Sequence, residues 1–123
     1  MIKLLVVDDS NIIRSRIERI YATDFDVQIV GKAKNGVEAV QQVEEHNPSV
    51  VTMDLTMPEM DGVACIEKLI GDDPKIKVLV VSALSDIATG LLAIEKGARG
   101  FLCKPFTDEE LVEALNKVVR TAH

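Results

Sequence analysis

The sequence predicts an α/β fold: a doubly wound, five-stranded parallel sheet with five helices, read as one domain over residues 1–123. Two observations predict it. Short apolar runs of strand length alternate with stretches of helical periodicity from one end of the chain to the other. The first, third and fourth runs are continuously apolar, as expected of strands covered by helices on both faces.

Each element follows in order. The run "IKLLVV" (2–7) is a strand. In "SNIIRSRIERIY", Ile13, Ile17, Ile20 and Tyr21 fall at helical spacing. "DVQIVGKA" (26–33) is a second strand. "NGVEAVQQVEEHN" places Val37, Val40 and Val43 on one helical face, and Asn35 with Glu38 predicts a capping box. "SVVTM" (49–53) is the third strand, and "DGVACIEKLIG" the third helix. "KVLVVSA" (77–83) leads into the helix "DIATGLLAIEKG", stopped by Gly97. "GFLC" (100–103) precedes a last helix whose capping box is Thr107 and Glu110 and whose stripe is Leu111, Leu115 and Val118. Gly90, inside the fourth helix, costs it about 1 kcal/mol relative to Ala. It reads either as a close-packing or surface position, or as a device that loosens the helix.

Composition narrows the function. The chain is 47% hydrophobic but only 3% aromatic, so its core is aliphatic. A formal charge of −6 argues against nucleic acid as the main ligand. No apolar run is long enough for a membrane span, and the N-terminus lacks a signal-peptide pattern; the cytoplasm is expected. Cys65 and Cys103 sit in apolar contexts and read as buried thiols. His46 and His123 read as solvated surface residues.

Ligands in such sheets bind beyond the carboxyl ends of the strands, where strand order reverses. The residues delivered there are distinctive. The first strand ends in Asp8 and Asp9, the third in Asp54, the fourth in Ser82 and the fifth in Lys104, directly before Pro105. Taken singly each has an ordinary explanation: Asp9 or Ser10 can cap the first helix, Ser82 can simply end a strand, and the Lys104 stem can snorkel to solvent. A cis Lys104–Pro105 bond is one way to aim the lysine inward.

Together they make a site. Two like charges at about 4 Å cost roughly 4 kcal/mol at an effective dielectric of about 20. A cation offsets that cost. The donors are all oxygen, which selects a hard ion, Mg²⁺ above all. Mg²⁺ points to phosphate chemistry, with Asp54 as a nucleophile that accepts a phosphoryl group. Lys104 and Ser82 are then the phosphoryl partners. No general base is placed for rapid hydrolysis.

The segments "VVDDS", "MDLTMPEMDG", "VLVVSAL" and "GFLCKPF", in this order, resemble a response-regulator receiver domain across essentially the whole chain, of the CheY-like single-domain kind. The resemblance implies the strand order 2-1-3-4-5. It implies phosphoryl transfer to Asp54 from a sensor histidine kinase or acetyl phosphate, and Mg²⁺ held by Asp8, Asp9, Asp54 and the backbone carbonyl of Thr56. It also implies a switch in which Ser82 and the aromatic at Phe101 move, and the fourth helix, fifth strand and fifth helix present a surface to a downstream protein. The expected protein is a phosphoacceptor signalling domain rather than an enzyme, with intrinsic autophosphorylation from small donors and slow autodephosphorylation, a monomer or weak dimer, with chemotaxis as one pathway. Phe101 lacks the hydroxyl of the tyrosine that chemotaxis receivers of this kind carry, which argues against a flagellar-motor output. A receiver within a longer regulator, such as a transcription factor or hybrid kinase, is the alternative. A haloacid-dehalogenase-type phosphatase would need a second aspartate where this chain has Thr56.

Overall fold

The computed structural model describes residues 1–55, 57, 61–83 and 87–121. Its order is β1 (Ile2–Val7), α1 (Asn11–Ile20), β2 (Val27–Ala33), α2 (Gly36–His46), β3 (Val50–Met53), α3 (Gly62–Asp72), β4 (Lys77–Ala83), α4 (Ile87–Glu95), β5 (Gly100–Lys104) and α5 (Asp108–Val119). The strands form one parallel sheet in the order β2-β1-β3-β4-β5. The order reverses between β1 and β3, so the site predicted above belongs at that edge.

Two apolar layers flank the sheet. On one face Leu5, Val7, Val51, Met53, Val78 and Val80 meet Ala39, Cys65, Ile66, Leu69 and Ala93 from α2, α3 and α4. On the other, Leu4, Val6, Leu79 and Val81 meet Ile17 of α1 and Leu111, Leu115 and Val118 of α5. Alternate strand residues therefore feed opposite layers, as the two-residue strand period requires. Burying each aliphatic side chain contributes roughly 1.5–3 kcal/mol, which is how so few aromatics suffice.

Local signals explain the helix ends. Ser10, not Asp9, caps α1, accepting from the Ile13 N–H at 3.3 Å. Thr107 and Glu110 form the expected reciprocal box at α5. Asn47 closes α2 in the left-handed conformation, φ 53°. Gly97 follows α4 at φ +118°, where a side chain would be strained.

Some expectations are corrected. At α2, Asn35 caps the helix as predicted, but Glu38 accepts from the Lys34 N–H (3.1 Å) rather than from Asn35, so the box is not closed. Val37 is exposed; Ala39 fills the inner face, flanked by Val40 and Val43. The register shifts between Leu4 and Leu5, which pair with Ile29 and Gly31, leaving Val30 as an extra residue in β2. Cys103 is only half-buried, unlike Cys65. His46 is half-exposed, its Nε2 3.6 Å from the Glu45 carboxylate. Expectations for Thr56, for a helix start at Asp86 and for His123 lie outside the described residues. Among the described residues, no helix is long and apolar enough to cross a membrane.

Candidate functional site

Strand pairing carries right up to the acids. The Asp8 N–H donates to the Ala33 carbonyl at 3.0 Å, and the Asp54 N–H to the Val7 carbonyl at 2.9 Å. Each bond extends its ladder one residue beyond the strand. Asp8, Asp9 and Asp54 consequently converge, with one carboxylate oxygen from each lying within 4.8 Å of the others. Asp8 and Asp54 are buried (2% and 5% exposed), whereas Asp9 faces solvent.

Asp8 is held through both carboxylate oxygens. Its Oδ1 accepts from the Ser10 N–H at 2.9 Å, and its Oδ2 lies 2.8 Å from Lys104 Nζ. Lys104 Nζ is 3.8 Å from Asp54 Oδ2. One ammonium thus spans the acids of β1 and β3. The Lys104–Pro105 peptide bond is cis. Pairing of Ala83 with Lys104 and of Ser82 with Cys103 sets the fully buried Ser82 at the same edge.

The donor set fits a divalent cation. Three carboxylates converge and Lys104 offsets one of their charges, so an excess of negative charge persists in a largely buried cluster. The donors are oxygens, as Mg²⁺ prefers.

Two contributors escaped the sequence reading. Arg14, on α1, donates from Nη1 to the Asp8 carbonyl (2.6 Å) and from Nη2 to Asn11 (3.3 Å), pinning the β1–α1 turn. Its four-residue spacing from the Ser10 cap was a usable signal. Gly62 opens α3 directly against the backbone behind Asp54. A Cβ there would overlap the Asp54 carbonyl oxygen and lie 2.6 Å from Leu55 Cα, while the Gly62 N–H donates to the Leu55 carbonyl at 3.1 Å. The stretch "MDG" held that glycine, but spacing alone did not reveal what it touches.

Phe101 lies in the middle of β5, paired with Val80, and packs against the α2–α4 layer. Gly90 is buried beneath its ring, which supports the close-packing reading of that glycine. Elsewhere, Cys65 is sealed in the core, where burial foremost and then the nearby Asp61 charge push its thiol up to about 12.

Comparison with known proteins agrees with this geometry. Residues 4–116 match the family described as the response regulator receiver domain. The chain is 42% identical over 120 residues to the chemotaxis protein CheY of Listeria monocytogenes, covering 98% of this chain and 100% of the relative. Its fold is similar to a chain of the CheX-CheY-BeF3-Mg+2 complex from Borrelia burgdorferi, with a TM-score of 0.90, 30% identity, and coverage of 98% and 90% of the two chains. It is also similar to the response regulator domain of Thermotoga maritima CheB, with a TM-score of 0.89, 31% identity, and coverage of 100% and 99%.

Proposed function

We infer the function from one premise: this chain belongs to the response regulator receiver family. It works as a phosphoryl-accepting switch in two-component signalling, with residues 1–123 acting as one receiver domain and Asp54 as the acceptor. The observation that carries the assignment of Asp54 is its position: a buried carboxylate at the end of β3, clustered with two further acids and 3.8 Å from an ammonium.

The reaction balances simply. An Asp54 carboxylate oxygen attacks the phosphorus of a sensor kinase's phosphohistidine, or of acetyl phosphate. A new O–P bond forms as the P–N or P–O bond breaks. The departing electron pair leaves on imidazole, which takes up a proton, or on acetate. Lys104 receives the charge of the phosphoryl oxygens, and the Ser82 hydroxyl donates one hydrogen bond to them. Asp8, Asp9, Asp54 and the Thr56 carbonyl would hold Mg²⁺, which when bound neutralises phosphoryl charge. Among the described residues, the acid cluster contains neither His nor Glu to activate water, in keeping with a group that is held rather than turned over.

Output passes through α4, β5 and α5 to a protein partner in the cytoplasm. Exposed Leu91 and Ile87 on α4 supply apolar contact area for it. The CheY relatives favour a chemotaxis pathway. Similarity to the CheB domain supports a second reading, a receiver working within a longer regulator.

Intact mass after incubation with acetyl phosphate and Mg²⁺ tests the assignment. The expected result is one added phosphoryl group, absent without Mg²⁺ and absent in Asp54→Asn. A phosphorylated Asp54→Asn protein would overturn it.

A further inference from the structure

We propose that Arg16 is a positioning residue for phosphoryl transfer: it clamps the turn after Lys104 and so fixes where the ammonium can reach. This rests on the phosphoryl-switch reading for its consequence, but not for its geometry. β5 is an edge strand, and Lys104, its last residue, has a strand neighbour on one side only, Ala83 of β4. The turn beyond it needs another support. Arg16 of α1 supplies three contacts there. Its Nη2 donates to the Phe106 carbonyl, two residues after Lys104, at 2.6 Å. Its Nε and Nη2 donate to one carboxylate oxygen of Asp108, Oδ1, at 3.2 and 3.0 Å. Its guanidinium carbon lies 4.5 Å from the centre of the Phe106 ring.

The three contacts act as one. The ion pair alone would count for little, because the Asp108 side chain is 62% exposed. The carbonyl bond adds a fixed backbone acceptor. The Phe106 ring, buried in the layer it shares with α1 and α5, adds a flat seat for the guanidinium. Only a planar fork meets carbonyl, carboxylate and ring at once; a lysine ammonium is a point charge on a flexible stem.

One helix thereby holds both ends of the Lys104–Asp8 pair. Arg14 donates to the Asp8 carbonyl at 2.6 Å, and Arg16 to the Phe106 carbonyl. The two arginines stand about 200° apart around a helix of 3.6 residues per turn, so they reach in opposite directions. Between their targets, Lys104 Nζ meets Asp8 Oδ2 at 2.8 Å. The contacts close a ring through α1, Arg14, Asp8, Lys104, Phe106 and Arg16. The same ammonium lies 3.8 Å from Asp54 Oδ2, beside the oxygens on which phosphoryl charge develops. A misplacement of about 1 Å can cost about 10²-fold in rate, so a clamp on this turn bears on the chemistry.

The test uses the full chain with Arg16→Lys, which keeps the charge and loses the fork, and with Asp108→Asn, which weakens one leg of the clamp. Two quantities are read: the initial rate of acetyl phosphate labelling at saturating Mg²⁺, per folded protein, and the proton exchange rate of Lys104 Nζ without Mg²⁺, by nitrogen-15 magnetic resonance. Arg16→Lys should slow labelling about tenfold and quicken ammonium exchange about tenfold. Asp108→Asn should move both in the same directions by about threefold, because its carboxylate is screened by solvent. In a Lys104→Met background, Arg16→Lys should leave the labelling rate unaltered, since nothing remains for the clamp to position. A merely structural role slows labelling equally in both backgrounds, and that result would overturn the proposal. A labelling rate in Arg16→Lys equal to the parent's would do the same. Should Arg16→Lys fail to fold, Asp108→Asn decides through the same comparison. A parent that takes up no phosphoryl group sinks the switch reading, and the exchange rate then decides the clamp alone. Unchanged Lys104 exchange in the variants refutes the clamp whatever the labelling shows.

Discussion

Lys104 Nζ sits 2.8 Å from Asp8 Oδ2 but 3.8 Å from Asp54 Oδ2, so the ammonium pairs first with the acid of β1 and only loosely with the acid of β3. Both carboxylates are nearly inaccessible, while the lysine side chain is 23% exposed. The lysine therefore stabilises a buried charge in the resting cluster and competes for the oxygen that a cation would use.

Lys104→Met should have opposite effects with and without Mg²⁺. Without it, loss of the partner leaves Asp8 uncompensated and should cost about 1–3 kcal/mol, discounted from a fully buried pair because the lysine reaches solvent. With it, one positive charge fewer repels the ion, and apparent affinity should rise several-fold, or about 1 kcal/mol. Thermal unfolding over a Mg²⁺ titration reads both effects. A variant that gains no more from Mg²⁺ than the parent does would refute the competition.

Asp9→Asn isolates the exposed acid. Asp9 does not cap α1, because Ser10 does. Removing its charge should therefore relieve repulsion and raise metal-free stability by about 0.5–1 kcal/mol, screened by its exposure. It should also abolish most of the stabilisation by Mg²⁺. Urea denaturation with and without Mg²⁺ measures the pair of effects.

Gly62→Ala should cost about 2–4 kcal/mol, because the new methyl meets backbone behind Asp54, which cannot rotate away as a side chain would. Acetyl phosphate labelling should fall in the folded fraction as well, since the same backbone aims the acceptor. Labelling unchanged in that fraction would show that α3 yields instead.

Tyr21 provides a pH prediction with one readout, since it is the only tyrosine in the chain. Its hydroxyl is buried without a hydrogen-bond partner among the described residues, and burial foremost, then the nearby Asp24 charge, push its pKa up from 10.0 to about 12. The folded state favours the neutral phenol. Its contribution to stability is thus complete below pH 10 and is lost as pH rises from 10 toward 12. Tyrosinate absorbance should appear about two units late in the folded protein and at the ordinary pH once denatured. An early, unshifted titration in folded protein would contradict the packing at the end of α1.

The fold class and the strand-end chemistry were legible in the sequence because both are written in short-range order. Apolar runs and helical stripes need only neighbours along the chain, and a polar residue closing each buried run needs only its position in that run. For the same reason Asp8, Asp9, Asp54, Ser82 and Lys104 could be named together before any distance was known. Val37 was misplaced because helical spacing gives the apolar side but not its centre, which packing assigns to Ala39. The Glu38 bond to Lys34 escaped because two neighbouring N–H groups compete for one carboxylate within the same turn.

By itself, the sequence determined an alternating α/β chain that delivers three acids, a hydroxyl and an ammonium to one edge of a sheet. Periodicity and chain direction leave little freedom in that. Only the tertiary structure decided that Lys104 pairs with Asp8, that Val30 is the extra residue in β2, that Gly62 backs Asp54 and that Phe101 rests on Gly90. Those relations join atoms far apart in the chain, and ångström-scale packing between layers, rather than any local pattern, sets them.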